Sequence, residues 1–270
     1  MENEITELRK RMKRFYETSE TYKGFLDAHN ESYLRTYINL VSGYSKPGSK
    51  MLEIGGGNGL AARLLNQLGY HVISTDISLF FLKDAKKWHN EKLKYAVCDA
   101  LDLSFKTESF DVVCSSELIE HVPDAERALS EMARVVKKGG KIIIAGPNLC
   151  SPILPLIDIL RMGMGGNGRP IWSETKRQAI KNMYINLTRS LKKRFASQPT
   201  FLYRKPDIEY QIIGGDADSV YYANPLDLER FFKNAGLKII KLSVGFGFQG
   251  RLMASLFPRF SLYISMVVEK

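Results

Sequence analysis

Two acids and four glycines carry the strongest chemical signal in this 270-residue chain. Residues 51–59 read Met-Leu-Glu-Ile-Gly-Gly-Gly-Asn-Gly, and Asp76 closes the next hydrophobic run 23 residues after Glu53. Met51, Leu52 and Ile54 predict a short apolar strand running into a turn. Glycine suits that turn because it accepts positive φ and lets a ligand approach the backbone. A helix over Leu60–Leu68 follows and stops at Gly69. A strand, a glycine turn and a helix N-terminus make a nucleotide-binding corner. Leu60 stands where the dinucleotide pattern Gly-x-Gly-x-x-Gly, counted from Gly55 and Gly57, wants its third glycine, so that pattern fails.

The elements that position these residues follow in order. His71–Asp76 reads as a second strand ending in an acid, which can accept both hydroxyls of a ribose. Asp76 could also cap a helix beginning at Ser78, which does not exclude the ribose. Lys94–Leu101 is a third strand carrying Asp99, Ser109–Ser116 a fourth, and Lys141–Ala145 a fifth entered through Gly139-Gly140. Helices are expected over Ser78–Asn90 and Asp124–Lys137, the latter with Ala125, Ala128, Leu129, Met132, Val135 and Val136 at helical spacing. Strands alternating with helices predict an α/β fold with a doubly wound, mostly parallel sheet and ligands at the strand C-terminal ends.

Glu53-x-Gly55-x-Gly57-x-Gly59 resembles motif I of the class I S-adenosylmethionine-dependent methyltransferases. Cys98–Phe105 is similar to the adenine-contacting segment of that family, Phe110–Val122 to its strand-four motif, and Arg134–Ile144 to its entry to strand five. The resemblance covers about residues 30–150, and its nearest branch is the ubiquinone/menaquinone-biosynthesis-like, small-molecule enzymes. It implies a Rossmann-like seven-stranded sheet with an antiparallel last strand. It implies S-adenosylmethionine as donor and S-adenosylhomocysteine as product. Glu53, Gly55, Gly56, Gly57, Asn58 and Gly59 would then line the methionine end of the cofactor. Asp76 and Ile77 would meet the ribose, Asp99, Ala100 and Leu101 the adenine, and Ser116 and Glu117 the other face. The acid at Glu53 suits a cationic sulfonium and ammonium. Asp99 could instead be a turn residue before Asp102, and Glu120 reads as a solvated helix residue.

Transfer of a methyl group from a sulfonium needs alignment and a desolvated cleft. An alcohol or phenol acceptor also needs a base, whereas a carboxylate needs none. His121, just past strand four, is one candidate, its alternative being a structural histidine. Asp218 and Tyr221 are the other catalytic candidates, with Tyr222 beside them; the alternative for Asp216–Tyr222 is a polar turn with core tyrosines. Helices over Glu2–Thr18 and Tyr33–Ser42 are expected to cover the cleft, with Tyr22 and His29 within reach of ligands.

Composition narrows the classes. Hydrophobic residues make up 44% of the chain, ample for one large core. Cys98, Cys114 and Cys150 lack metal or redox spacing and read as small core hydrophobes in a reducing compartment. The four histidines are scattered, so no metal site is expected. The charged N-terminus argues against a secretory signal, and no run of apolar residues is long enough to span a membrane. A cytoplasmic protein, peripheral on the inner membrane face if the basic segment docks there, is the expectation.

The net charge is +10, and residues 151–215 hold 11 Lys/Arg against 4 Asp/Glu. This segment follows strand five, where the family's plan has a short helix. The division expected is a cofactor-binding domain of residues 1–150 and 216–270 with 151–215 as a lid or substrate insertion. Its Ser173–Ala196 helix is basic, with Ile180, Met183, Tyr184 and Leu187 on one side. Three readings fit: a lid packed on the sheet edge, a lid that also docks on a membrane to reach a lipid-linked acceptor, or a nucleic-acid surface without a known RNA module. The function expected is methyl transfer to a small-molecule or lipid-linked acceptor. The rivals are an RNA-directed methyltransferase and a non-catalytic adaptor that keeps the fold. Past the insertion, a helix begins at Pro225 behind Asn224, Leu237–Ser243 is strand six, and Ser261–Val268 is strand seven.

Overall fold

A computed structural model describes residues 2–166, 173–208, 217–243, 252 and 254–270. Seven strands form one sheet in the order β3-β2-β1-β4-β5-β7-β6. They are β1 (Lys50–Ile54), β2 (His71–Asp76), β3 (Leu93–Val97), β4 (Phe110–Ser116), β5 (Val136–Pro147), β6 (Lys238–Lys241) and β7 (Tyr263–Glu269). β1 to β5 pair in parallel, while β7 runs antiparallel to both β5 and β6. The chain order reverses between β1 and β4, and such a switch point leaves a crevice at the strand C-terminal ends.

The period of two along the strands sorts the core into two layers. Leu52, Ile54, Val113, Ile142 and Ile144 face one side, with Ala128, Leu129 and Met132 of α6 (Ala125–Val135) and Leu228 and Phe232 of α9 (Pro225–Asn234). Met51, Val112, Cys114, Ile143 and Ala145 face the other, against α3 (Glu31–Tyr44) and α4 (Leu60–Gln67). Asp124 caps α6 and Asn224 caps α9, each accepting a backbone N–H three residues on. β5 begins five residues before the expected start at Lys141, because a register shift lets Val136 pair with Phe110 before Lys141 pairs with Val112.

α1 (Glu2–Thr18) has the expected span. A second helix, α2 (Glu20–Asp27), fills the gap before α3. Its Gly24 and eight-residue length hide it from periodicity, but Ser19 caps it by accepting from Tyr22 N. α5 (Leu79–Ala85) is capped by Ser78 and ends in a short 3-10 turn, so the helix expected over Ser78–Asn90 is shorter. Met12, Phe15 and Tyr16 of α1 pack with Phe81 of α5 and with Ile208 and Val220.

After β5 come α7 (Ile153–Gly163) and α8 (Lys176–Phe195), which pack on each other. Residues 202–207 then run alongside 217–222, through Tyr222 N to Leu202 O at 2.9 Å, Arg204 N to Val220 O at 2.7 Å and Asp207 N to Ala217 O at 2.8 Å. Asp216, the start of the expected acceptor segment, lies outside the described residues.

Candidate active site

The glycine loop leaves β1 and returns under its own backbone. Gly55 N and Gly56 N both donate to Thr75 O, at 2.8 and 2.9 Å, and Gly57 N donates to Asp76 Oδ2 at 2.9 Å. Gly55, Gly57 and Gly59 all have positive φ. Gly56 is required for space: a Cβ there would lie 2.0 Å from Ser74 Oγ and 2.8 Å from Glu53 Oε2. Gly59 serves a different purpose. A Cβ on it would lie 2.7 Å from both Ala85 Cβ and Tyr95 Cε1, so it lets α4 start close against α5 and β3. Gly59 does not line the cavity, and packing is its role.

Two carboxyls sit beneath the loop. Glu53 is buried and accepts from Ser74 Oγ at 2.7 Å; burial pushes its carboxyl up to about 7, with the charge of Asp76 adding to it. Asp76 is also buried, and desolvation raises it to about 6 against the pull of the Ser78, Gly57 and Ile77 N–H groups. Its two oxygens are held by Ser78 N and Gly57 N, so it turns the loop and leaves further lone pairs for a ligand. Ser78, and not Asp76, is the cap of α5.

One cavity joins these groups, with an empty volume of about 1570 Å³ including its open mouth. Glu53, Gly55, Gly56, Gly57, Asn58, Asp76, Ile77, Asp99, Ala100, Leu101, Ser116 and Glu117 line it, as do His121 and Asp218. Asp99 lines the cavity, and its Oδ1 accepts from Leu101 N at 2.8 Å as a turn residue does. Arg9 of α1 bridges to its Oδ2. Glu117 stands just after β4 with φ 51, a costly conformation for a residue with a side chain, and its carboxylate accepts from Tyr263 Oη.

The far end holds a histidine between acids. His121 Nδ1 is 3.1 Å from Asp218 Oδ2 and its Nε2 is 3.7 Å from Glu120 Oε1. Tyr16 Oη donates to Asp218 Oδ2 at 2.8 Å. Burial would raise Asp218, but the His121 charge and the His121 and Tyr16 hydrogen bonds hold it below the usual range. Burial, with the same carboxylate adding to it, pushes the Tyr16 hydroxyl well up, so it stays a donor. Glu120, expected in solvent, is fully buried; the missing side chain of Gly146 makes room for it, a Cβ there lying 3.2 Å from Glu120 Oε2.

Tyr221 is not part of this group. It is fully buried in the core, its hydroxyl donates to Asp227 Oδ2 at 3.0 Å, and it does not line the cavity. Tyr222 lies against Leu149 and Leu154 with the Arg189 guanidinium 4.7 Å above its ring. Tyr16 takes the place expected of Tyr221. Arg9, Met12 and Tyr16 line the cavity together, and their i, i+3, i+7 spacing was the available signal.

The N-terminal helices roof the cavity. Tyr22, Phe25, Leu26 and His29 line it, the His29 ring stacks on Tyr33 at 4.1 Å, and burial lowers the His29 imidazole. Asn58 Nδ2 donates to Leu26 O at 2.9 Å, tying the loop to α2. Among the described residues no cluster of three His, Cys, Asp or Glu could hold a metal ion.

Known proteins resemble parts of this chain. Residues 52–144 match the methyltransferase domain family. A stretch of 104 residues is 41% identical to phosphoethanolamine N-methyltransferase 2 of Caenorhabditis elegans, covering 37% of this chain and 24% of that protein. Another of 99 residues is 34% identical to the demethylmenaquinone methyltransferase of Renibacterium salmoninarum, covering 37% of this chain and 41% of that one. The chain thus spans less than half the length of these curated relatives. The fold extends further: a S-adenosylmethionine dependent methyltransferase from Mesorhizobium loti aligns over 91% of this chain and 100% of its own, with a TM-score of 0.53 at 14% identity. Residues 52–144 thus match a methyltransferase domain, within a fold shared with a solved S-adenosylmethionine dependent methyltransferase.

Proposed function

We propose that the protein transfers a methyl group from S-adenosylmethionine to a small-molecule acceptor bearing a hydroxyl or phenol. One observation carries this reading: a single cavity has the glycine loop and Asp76 at one end and the His121–Asp218 pair at the other. The residues present fit the cofactor. Gly56 lets the loop close over Ser74 and Glu53, Asp76 is held ready for ribose hydroxyls, and Asp99 to Leu101 form a turn for the adenine. Buried Glu53 supplies negative charge for a cation. When bound, S-adenosylmethionine supplies an already activated methyl group.

The chain's own task is then to orient the acceptor, exclude water and take a proton. In this reading His121 accepts the proton of the acceptor hydroxyl, and Asp218, with Tyr16 behind it, stabilises the imidazolium that forms. Met12, Tyr22, Phe25 and Phe81 give the cavity an apolar, aromatic wall, which supports an acceptor with an apolar body. Relatives named for demethylmenaquinone and for 2-methyl-6-phytyl-1,4-hydroquinone lend weight to a hydroquinone-like or lipid-linked acceptor.

Titration calorimetry with S-adenosylhomocysteine is the first test: the protein should bind it, and Asp76→Ala should weaken binding by about tenfold or more, a loss of at least ~1.4 kcal/mol. No binding by the unaltered chain would sink the reading. Methyl transfer across a panel of hydroquinones, alcohols and amines then sorts the acceptor. Binding without turnover on any of them would favour an adaptor.

A further inference from the structure

Helix α8 presents a polar face to the protein and an apolar one to solvent. Its buried positions are Ala179, Asn186, Ser190 and Lys193. Three of them make polar bonds inward: Asn186 Nδ2 to Ser151 O at 3.1 Å, Ser190 Oγ to Cys150 O at 3.0 Å, and Lys193 Nζ to Asp227 Oδ2 at 2.6 Å. The large apolar residues Ile180, Tyr184, Leu187, Leu191 and Phe195 are exposed, Tyr184 at 68% and Phe195 at 84%. At roughly 100° per residue, these five fall within an arc of about 80°, centred about 130° from the buried four. The stripe is therefore not a core face left slightly open.

α7 extends it. Leu156, Leu160 and Met164 at its C-cap, four residues apart, are exposed as well, and α7 packs on α8. α8 holds seven Lys or Arg and no Asp or Glu. Lys176 and Arg194 flank the stripe on one side and Arg177 and Lys181 on the other, all exposed. No described helix is long and apolar enough to cross a membrane.

We propose that the α7–α8 pair docks the protein on the surface of an anionic phospholipid bilayer. Apolar side chains would enter the acyl boundary while the flanking lysines and arginines reach headgroup phosphates. A second copy of the chain is a poor match, because an α8 without acids would meet its own positive charge across a two-fold. A nucleic acid would use the basic flanks but leave Ile180, Leu187 and Leu191 in water, since bases stack on aromatic rings and not on aliphatic chains. The buried Lys193–Asp227 pair and the Tyr221–Asp227 hydrogen bond tie α8 to the segment that carries Asp218. Docking would thus fix the orientation of the cavity to the surface. The inference does not depend on which reaction the cavity performs.

Flotation of the full chain with phosphatidylcholine vesicles, and with vesicles of phosphatidylcholine and phosphatidylglycerol in equal parts, tests it. The expected result is at least roughly tenfold enrichment on the anionic vesicles, weakened by salt. Leu187→Ser/Leu191→Ser and Lys181→Glu/Arg194→Glu should each lose about tenfold while keeping the melting temperature and S-adenosylhomocysteine binding of the parent. No enrichment, or full binding by Leu187→Ser/Leu191→Ser, would overturn the proposal. So would light scattering that shows a dimer abolished by that variant, or tighter binding to poly(U) RNA lost only in the charge variant.

Discussion

His121 depends on two neighbours 97 and 105 residues away in sequence, Asp218 and Tyr16. If it takes the acceptor's proton, His121→Ala should lower turnover by about 10²- to 10³-fold with cofactor affinity almost unchanged. Tyr16→Phe should cost only a few fold and shift the pH–rate profile. Steady-state rates beside calorimetry read both, and equal losses in rate and affinity would mean His121 is structural. Glu53 gives a second expectation. Its carboxyl rises in the fold to about 7, so the folded chain keeps a proton that the unfolded chain has released. Stability contributed below the ordinary carboxylate range is therefore lost as pH climbs from about 4.5 to about 7, by roughly 3 kcal/mol from this group. Melting temperature against pH should fall over that window, and Glu53→Gln should flatten the curve. A cationic ligand favours ionised Glu53, so S-adenosylmethionine should bind more tightly as pH rises and release protons on binding.

Single elements have their own weak points. In the loop, Gly56→Ala forces Ser74 and Glu53 aside; cofactor binding should fall at least tenfold, with partial recovery in Gly56→Ala/Ser74→Ala, read by calorimetry. Between α8 and α9, Lys193 and Asp227 form a buried ion pair at 2.6 Å that also receives Thr200 N and Asn224 Nδ2. Lys193→Met leaves Asp227 charged and buried, and should cost about 3–5 kcal/mol by denaturant unfolding. Lys193→Met/Asp227→Leu should recover part of that. The strands were legible because Met51 to Ile54 and Ile142 to Ile144 are apolar runs bounded by glycine or charge. α2 was not, since eight residues with a central glycine carry too little periodicity. Its cap at Ser19 was the readable signal.

For the whole molecule, α1 and α2 reach the Rossmann-like sheet through contacts with cavity-lining residues: Arg9 on Asp99, Tyr16 on Asp218, and Asn58 of the loop on Leu26. Ligand binding should therefore slow amide exchange in residues 2–27 as well as in the loop. Protection confined to residues 53–59 would mean that the roof forms independently of the ligand. At about 100-fold above its dissociation constant, S-adenosylhomocysteine should also add roughly 2.7 kcal/mol to global stability.

What could be read without coordinates was local. A period of two, a period of 3.6, glycines at turns and acids at strand ends each constrain a few neighbouring residues, and they sufficed for the parallel sheet, the loop and Asp76. The pairings at long range were beyond that reach. Tyr16 meets Asp218 across 202 residues and Tyr263 meets Glu117 across 146. The sides taken by Tyr221, Glu120 and the apolar stripe of α8 also follow from which surfaces the whole chain buries together. A residue's type says what its side chain can do, and its neighbours in space, set by burial summed over the fold, say whether it does so in the core, in the cavity or at the surface.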